Sequence, residues 1–248
     1  MFNLSIYAKT PGLWYNRYLM LKRFLFLLIV FSLLPLAARA ETITYDIKKW
    51  GMKVGQAALT FGGEVDFEGR HLALIVFKAD GFNFYDEEKI YTEPGTFRPV
   101  VVLRDFDLNV FGKGKIREEY LTGEGKIKVI KESGGKKEEQ VLQKQGPVDN
   151  IYGFIQRYRK EGSFKIGDVL DLHLPTKDLK IKMMRQLKLT ISGKIFDAFY
   201  MHSIPAQYQI WFDAGPGKLP LKISGAIGLA NTVMVMTGHS PSEAPSSH

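Results

Sequence analysis

The 248-residue sequence predicts a mostly β protein: a single curved antiparallel sheet system (half-barrel, barrel or sandwich-like) with one helix near 149–160. Three observations lead there. From Thr42 onward, apolar and polar residues alternate with a period of two, as in strands that bury one face. Turn signals carrying glycine separate the alternating runs. A single segment breaks the pattern: Ile151, Phe154, Ile155 and Tyr158 recur at i, i+3, i+4, i+7, which is helical spacing.

Taken in order, the chain begins with a segment to be set aside from fold reasoning. Leu21, Lys22 and Arg23 precede an apolar run from Phe24 to Ala37, and Ala38-Arg39-Ala40 follows. A charged start, a short apolar core and a small-x-small exit make an export signal, with cleavage expected after Ala40. The run is shorter than the roughly 20 residues a membrane-spanning helix needs. Met20 stands immediately before the basic residues and is the expected true start, so residues 1–40 are read as leader and signal peptide. Residues 41–238 are read as one β-rich domain and 239–248, rich in Ser and Pro, as a disordered tail.

Ile43, Tyr45 and Ile47 alternate with Thr44 and Asp46, a first strand; Ala57, Leu59 and Phe61 form its hairpin partner across Gly51 and Gly55. Leu72–Phe77 is apolar on both faces, like a more central strand. Val102, Phe106, Leu108 and Val110 share one parity, interrupted by Arg104. Weaker strands follow at Ile116–Tyr120 and Ile127–Val129, with a hairpin tip at Gly134-Gly135. Asp149 or Asn150 can cap the helix and Gly162 can end it. Leu170–Leu174, Leu179–Ile191, Ile195–His202, Tyr208–Phe212, Leu219–Ile227 and Thr232–Met236 complete the series.

Composition narrows the function. The chain holds 34 Lys and Arg, of which Lys9, Arg17, Lys22, Arg23 and Arg39 precede Glu41, leaving 29 against 26 Asp and Glu. Nucleic acid, which needs a clustered basic face, is therefore not an expected partner. With no cysteine, thiol catalysis, thiolate metal sites and a lipidated Cys at the cleavage site are excluded. No metal or cofactor motif is present, so none is expected. After cleavage no run remains to span a membrane as a helix. The expected location is the periplasm, with secretion as the alternative.

Several positions carry a family resemblance. Tyr45, Trp50, Gly51, Val54, Gly55, Ala57 and Leu59 resemble the opening hairpin of the family called domain of unknown function 3108. Ile210-Trp211-Phe212 followed by Leu219-Pro220-Leu221-Lys222-Ile223 is similar to its later pair of strands, and Asn150–Arg159 to its central helix. The resemblance implies an exported bacterial, mostly β protein and supplies no catalytic residue.

Candidate sites divide between chemistry and packing. Asp105 and Asp107 share the polar face of one strand, which suits a sugar or calcium contact or a solvated face; His173 lies in a polar register. Lys126, Lys128, Lys131, Lys136 and Lys137 read as a solvated hairpin or as a contact for anionic head groups. Arg185 occupies the apolar parity of Leu179, Ile181, Met183, Leu187 and Leu189, and a charge aimed into an apolar interior is costly. Two readings stand: a β-bulge at Met183-Met184 turns Arg185 outward, or Arg185 holds an anionic head group with Met183 against the tail. The aromatic groups at Phe82–Tyr85 and Phe196–Phe212 are available to line a groove, with Phe82-Asn83-Phe84-Tyr85 at a rim. Arg185, Met183, Phe84, Tyr85 and Trp211 are the candidate ligand-binding residues. The expected role is non-enzymatic binding of a lipid-like or amphipathic envelope component. The alternatives are a structural partner of an envelope complex and an enzyme acting on cell-wall polysaccharide through Asp105, Asp107 or His173.

Overall fold

The alternating runs assemble into a single antiparallel sheet. The computed structural model describes residues 40–109, 112–226 and 231–241, so the leader, Val110, Ile227 and the tail beyond Pro241 lie outside the described residues. Fourteen strands follow in chain order: β1 (Glu41–Lys49), β2 (Met52–Phe67), β3 (Arg70–Gly81), β4 (Phe84–Thr92), β5 (Pro99–Asp107), β6 (Lys113–Leu121), β7 (Lys126–Ser133), β8 (Lys136–Gln143), β9 (Val169–Leu174), β10 (Lys177–Ile191), β11 (Lys194–Ile204), β12 (Gln209–Asp213), β13 (Pro220–Ser224) and β14 (Thr232–Pro241). Helix α1 (Ile151–Glu161) lies between β8 and β9.

The spatial order is β8-β7-β6-β5-β4-β3-β2-β1-β14-β13-β12-β11-β10-β9, a meander whose seam joins β1 to β14. The sheet is not closed, and its edges are β8 and β9. The chain crosses from one edge to the other through residues 144–168. Lys144 donates its backbone N–H to Gly125 O at 2.8 Å and its Nζ to Asp178 Oδ1 at 2.8 Å. Asp149 N–H reaches His173 O on β9 at 2.6 Å. This crossing segment thus ties β9 and β10 to the far limb of the sheet.

One face of nearly every strand shares a core with the helix. Ile43, Tyr45 and Ile47 on β1, Leu59 on β2, Ile75 and Phe77 on β3, Ile181 and Met183 on β10, and Ile210 and Phe212 on β12 are buried in one core with Ile151, Tyr152, Phe154, Ile155 and Tyr158. Asn150 caps the helix by accepting the Tyr152 N–H at 2.9 Å, and Gly162 donates to Tyr158 O at 2.8 Å beyond its end. Gly153 allows close approach: a Cβ there would sit 2.4 Å from Phe97 O. In the last turn Arg159 grips Glu41 with both Nη atoms, at 2.9 and 3.0 Å.

Two expectations need adjustment. β4 lies where no strand was expected, and β14 runs to Pro241, pairing with Glu41 three residues past the expected domain end; β8 is the second arm of the hairpin expected at Gly134-Gly135. In β4 the inward positions Asp86 and Glu88 are charged, which hides the alternation; in β8 only Leu142 escapes full exposure. No described helix is long and apolar enough to cross a membrane.

Candidate functional site: an interior acidic cluster

The inner face of the sheet is mostly apolar, and charged side chains enter it where β4, β5 and β6 run beneath the start of α1. The register sets Phe77 on β3 opposite Glu88, Glu88 opposite Arg104 on β5, and Val102 opposite Glu118 on β6. Asp86 and Tyr120 are the next inward residues on β4 and β6. Four charged side chains, Asp86, Glu88, Arg104 and Glu118, therefore converge on one patch of the inner face.

Their pairing is uneven. Asp86, almost wholly buried, receives Arg104 Nε and Nη2 in a bidentate pair, both at 2.7 Å. Glu118 accepts the Tyr120 hydroxyl at 2.5 Å. Among the described residues Glu88 accepts only Asn150 Nδ2, at 2.6 Å. Tyr152 stacks on Phe77 with ring centroids 4.5 Å apart, and its hydroxyl is the buried side-chain polar atom without a hydrogen-bond partner among the described residues. An orphaned buried hydroxyl costs about 1–3 kcal/mol. A partner supplied from outside the chain removes that cost.

Electrostatics follow the geometry. Burial, opposed by Arg104 and reinforced by the neighbouring charges of Glu118 and Asp86, pushes Glu88 up to about 7. Burial also raises Glu118, and it raises the Tyr152 and Tyr120 hydroxyls well above their ordinary values. For Arg104, burial works against the charge, but the Asp86 carboxylate outweighs it and the guanidinium is held more firmly protonated. Tyr208, just before β12, is raised by burial and then by Glu88, and it shares the core with Tyr152. Glu88, Arg104 and Glu118 retain some accessible surface, so solvent-sized molecules reach them. Three carboxyl groups against one guanidinium give the patch a negative balance that favours hydrogen-bond donors and cations.

The residues singled out in the sequence do not gather at one place. A bulge lies between Met183 and Arg185, and Arg185 is exposed on the outer face. There it heads a cross-strand ladder: its guanidinium stands 5.9 Å from the Tyr200 ring, Tyr200 stacks on Trp211 at 4.8 Å, and Lys222 lies 4.5 Å from the Trp211 centroid. Met183 is buried in the core on the other face. Phe84 packs against the core at the start of β4, whereas Tyr85 points outward and donates to Glu87 at 2.9 Å. Asp105 is exposed beside Lys115 at 3.7 Å, in an outer groove of about 390 Å³. Asp107 accepts Asn109 N–H at 3.2 Å, and His173 pairs with Asp178 at 3.1 Å; no contact joins Asp105, Asp107 and His173 among the described residues. Among those residues, no group of His, Asp and Glu is spaced to hold a metal ion.

No family model matches this chain, and no curated protein matches it. The sequence left one signal for the interior cluster. Arg104 interrupts the apolar parity of Val102 and Phe106, just as Arg185 interrupts its own strand. A bulge relieves Arg185, whereas Arg104 stays in register and points inward to Asp86.

Proposed function

We propose that this is an exported periplasmic protein of the cell envelope, of the domain of unknown function 3108 type, that binds an amphipathic ligand without catalysing a reaction. The ligand's apolar part lies against the inner face of the sheet beside α1. Its head group, a donor of hydrogen bonds, meets Glu88, Glu118 and Tyr152. The observation that carries this reading is the orphaned Tyr152 hydroxyl beside an under-paired carboxyl group in an otherwise apolar core. The structural-partner reading is weaker in its edge-pairing form. β8 is a charged, exposed strand that resists pairing with another chain, and Asp149 already occupies a β9 carbonyl.

The test is chemical. Protein recovered after export is extracted with organic solvent and analysed by mass spectrometry, then titrated with dodecylamine and with dodecanoate while its unfolding temperature is followed. A co-purifying amphiphile is expected, together with a rise in unfolding temperature for the amine that Tyr152→Phe diminishes. A clean extract and a melting curve indifferent to both probes would refute the proposal.

A further inference from the structure

The antiparallel register places seven hairpin turns at one end of the sheet: β1–β2, β3–β4, β5–β6, β7–β8, β9–β10, β11–β12 and β13–β14. Helix α1, the start of β1 and the end of β14 belong to the other end, where Arg159 holds Glu41 and Arg157 reaches Thr96 O. The turn end carries Phe82, 94% exposed, Trp50 at 76%, Met52 at 65% and Ile204 at 50%. Trp50 and Met52 sit on the β1–β2 turn and Phe82 on the adjacent β3–β4 turn, because Gly55 pairs with Gly81.

Trp50 is unfavourable there by the rules of folding alone. Lys49 pairs with Met52, so Trp50-Gly51 is a two-residue loop, and both residues have positive φ, +51° and +83°. Such a loop favours Asn-Gly, because a bulky side chain is strained in left-handed backbone. The side chain also buries little on its own protein. Both costs are explained if the ring is needed by something outside the chain.

Charge identifies the partner. Lys48, Lys49, Lys53, Lys113, Lys136, Lys137 and Lys177 belong to the same set of turns, against Asp80, Asp107, Glu132 and Asp178. Lys53 is paired with Asp46 at 2.7 Å and Lys177 bonds Gln207 at 2.8 Å, whereas Lys49, Lys113 and Lys136 make no ion pair with the described residues. Lys49 lies 4.8 Å from the Trp50 ring centroid. Exposed aromatics interspersed with lysines match the boundary between head groups and acyl chains of an anionic bilayer. We infer that the hairpin-turn end of the sheet docks on an anionic phospholipid surface, with Trp50, Met52 and Phe82 entering the interface and the lysines meeting lipid phosphates. This surface is separate from the interior cluster and does not depend on it.

The chain from Glu41 onward contains every described strand and α1, and residues 38–248 form a unit with its own core. Its co-sedimentation with phosphatidylcholine vesicles, with and without phosphatidylglycerol, tests the inference. Binding is expected only when phosphatidylglycerol is present. Trp50→Asn with Phe82→Ser is expected to weaken it about tenfold or more, and Lys49→Gln or Lys136→Gln about fivefold each. Trp50→Asn suits its turn better than Trp does, so a loss of binding with an unchanged or higher unfolding temperature excludes misfolding as the cause. Ile195→Ser is the control, since Ile195 is 68% exposed at the opposite end, beside the β10–β11 turn. Equal binding to neutral vesicles, no binding to either, or an equal loss with Ile195→Ser would overturn the inference.

Discussion

Replacing Glu88 with Gln should flatten part of the protein's pH dependence. Glu88 faces Arg104, Asp86 and Glu118 from the neighbouring strands, Asn150 and Tyr152 from the helix, and Tyr208 from just before β12. Burial, as the largest influence, holds it at about 7 against an ordinary 4.5. A carboxyl group raised on folding stabilises the fold while it is protonated. That contribution is complete below about 4.5 and is lost as pH rises through about 7. The gap between the two values corresponds to about 3 kcal/mol at full ionisation. The partial exposure of Glu88 to solvent reduces it, so a change of about 2 kcal/mol is expected between about pH 5 and 8. Gln keeps the oxygen that accepts from Asn150 and has no proton to lose. Urea unfolding across that pH range should find the two proteins alike at the acid end and the variant more stable by about 2 kcal/mol at the alkaline end. Other titrating groups are common to both proteins and cancel in the difference. Parallel curves would refute the reasoning. A wild type more stable than the variant at pH 8 would show instead that Glu88 is ionised and paired with Arg104.

Two further outcomes follow from the packing and the buried charge. Gly153→Ala gains about 1 kcal/mol of helix propensity but drives a Cβ to 2.4 Å from Phe97 O, so a net loss of about 1–2 kcal/mol in chemical denaturation is expected. Arg104→Met leaves the buried Asp86 carboxylate without its cation and should cost about 3 kcal/mol, whereas Arg185→Met, on the exposed outer face, should stay within about 0.5 kcal/mol by the same measurement.

Most of the sheet was legible because burying one face leaves a period of two in the sequence. β1, β2, β9 and β12 show it plainly, and Ile151 to Tyr158 announces the only α-helix among the described residues. β4 and β8 left no such trace, for different reasons. β8 is an edge with almost no buried face, so nothing selects apolar residues along it. β4 has a buried face, but two of its inward positions are Asp86 and Glu88, and a rule that equates inward with apolar misreads them. The candidate site was missed with the strand, because the residues that make it unusual also conceal the element that holds it. Arg104 and Arg185 looked alike in sequence. Only the register separates them, since one inserted residue at a bulge decides whether a guanidinium faces the core or the solvent.

Departures from local rules in this chain are therefore of two kinds. Arg185 is one that the backbone itself relieves: the bulge turns it outward, where its guanidinium lies over Tyr200. Glu88, Tyr152 and Trp50 have no such relief. Glu88 is raised to about 7, the Tyr152 hydroxyl has no hydrogen-bond partner among the described residues, and Trp50 holds a left-handed turn position while 76% exposed. Each would be more favourable for folding as another residue, such as Gln, Phe or Asn. A sequence otherwise consistent with its fold at the level of strand pattern, helix cap and core has no folding reason to keep them. Their positions also differ: Glu88 and Tyr152 lie together under the start of α1, and Trp50 lies at the turn end of the sheet. If stability rises in Glu88→Gln and Trp50→Asn while amphiphile binding and vesicle binding fall separately, the two sites are distinct and each is maintained at a cost to the fold.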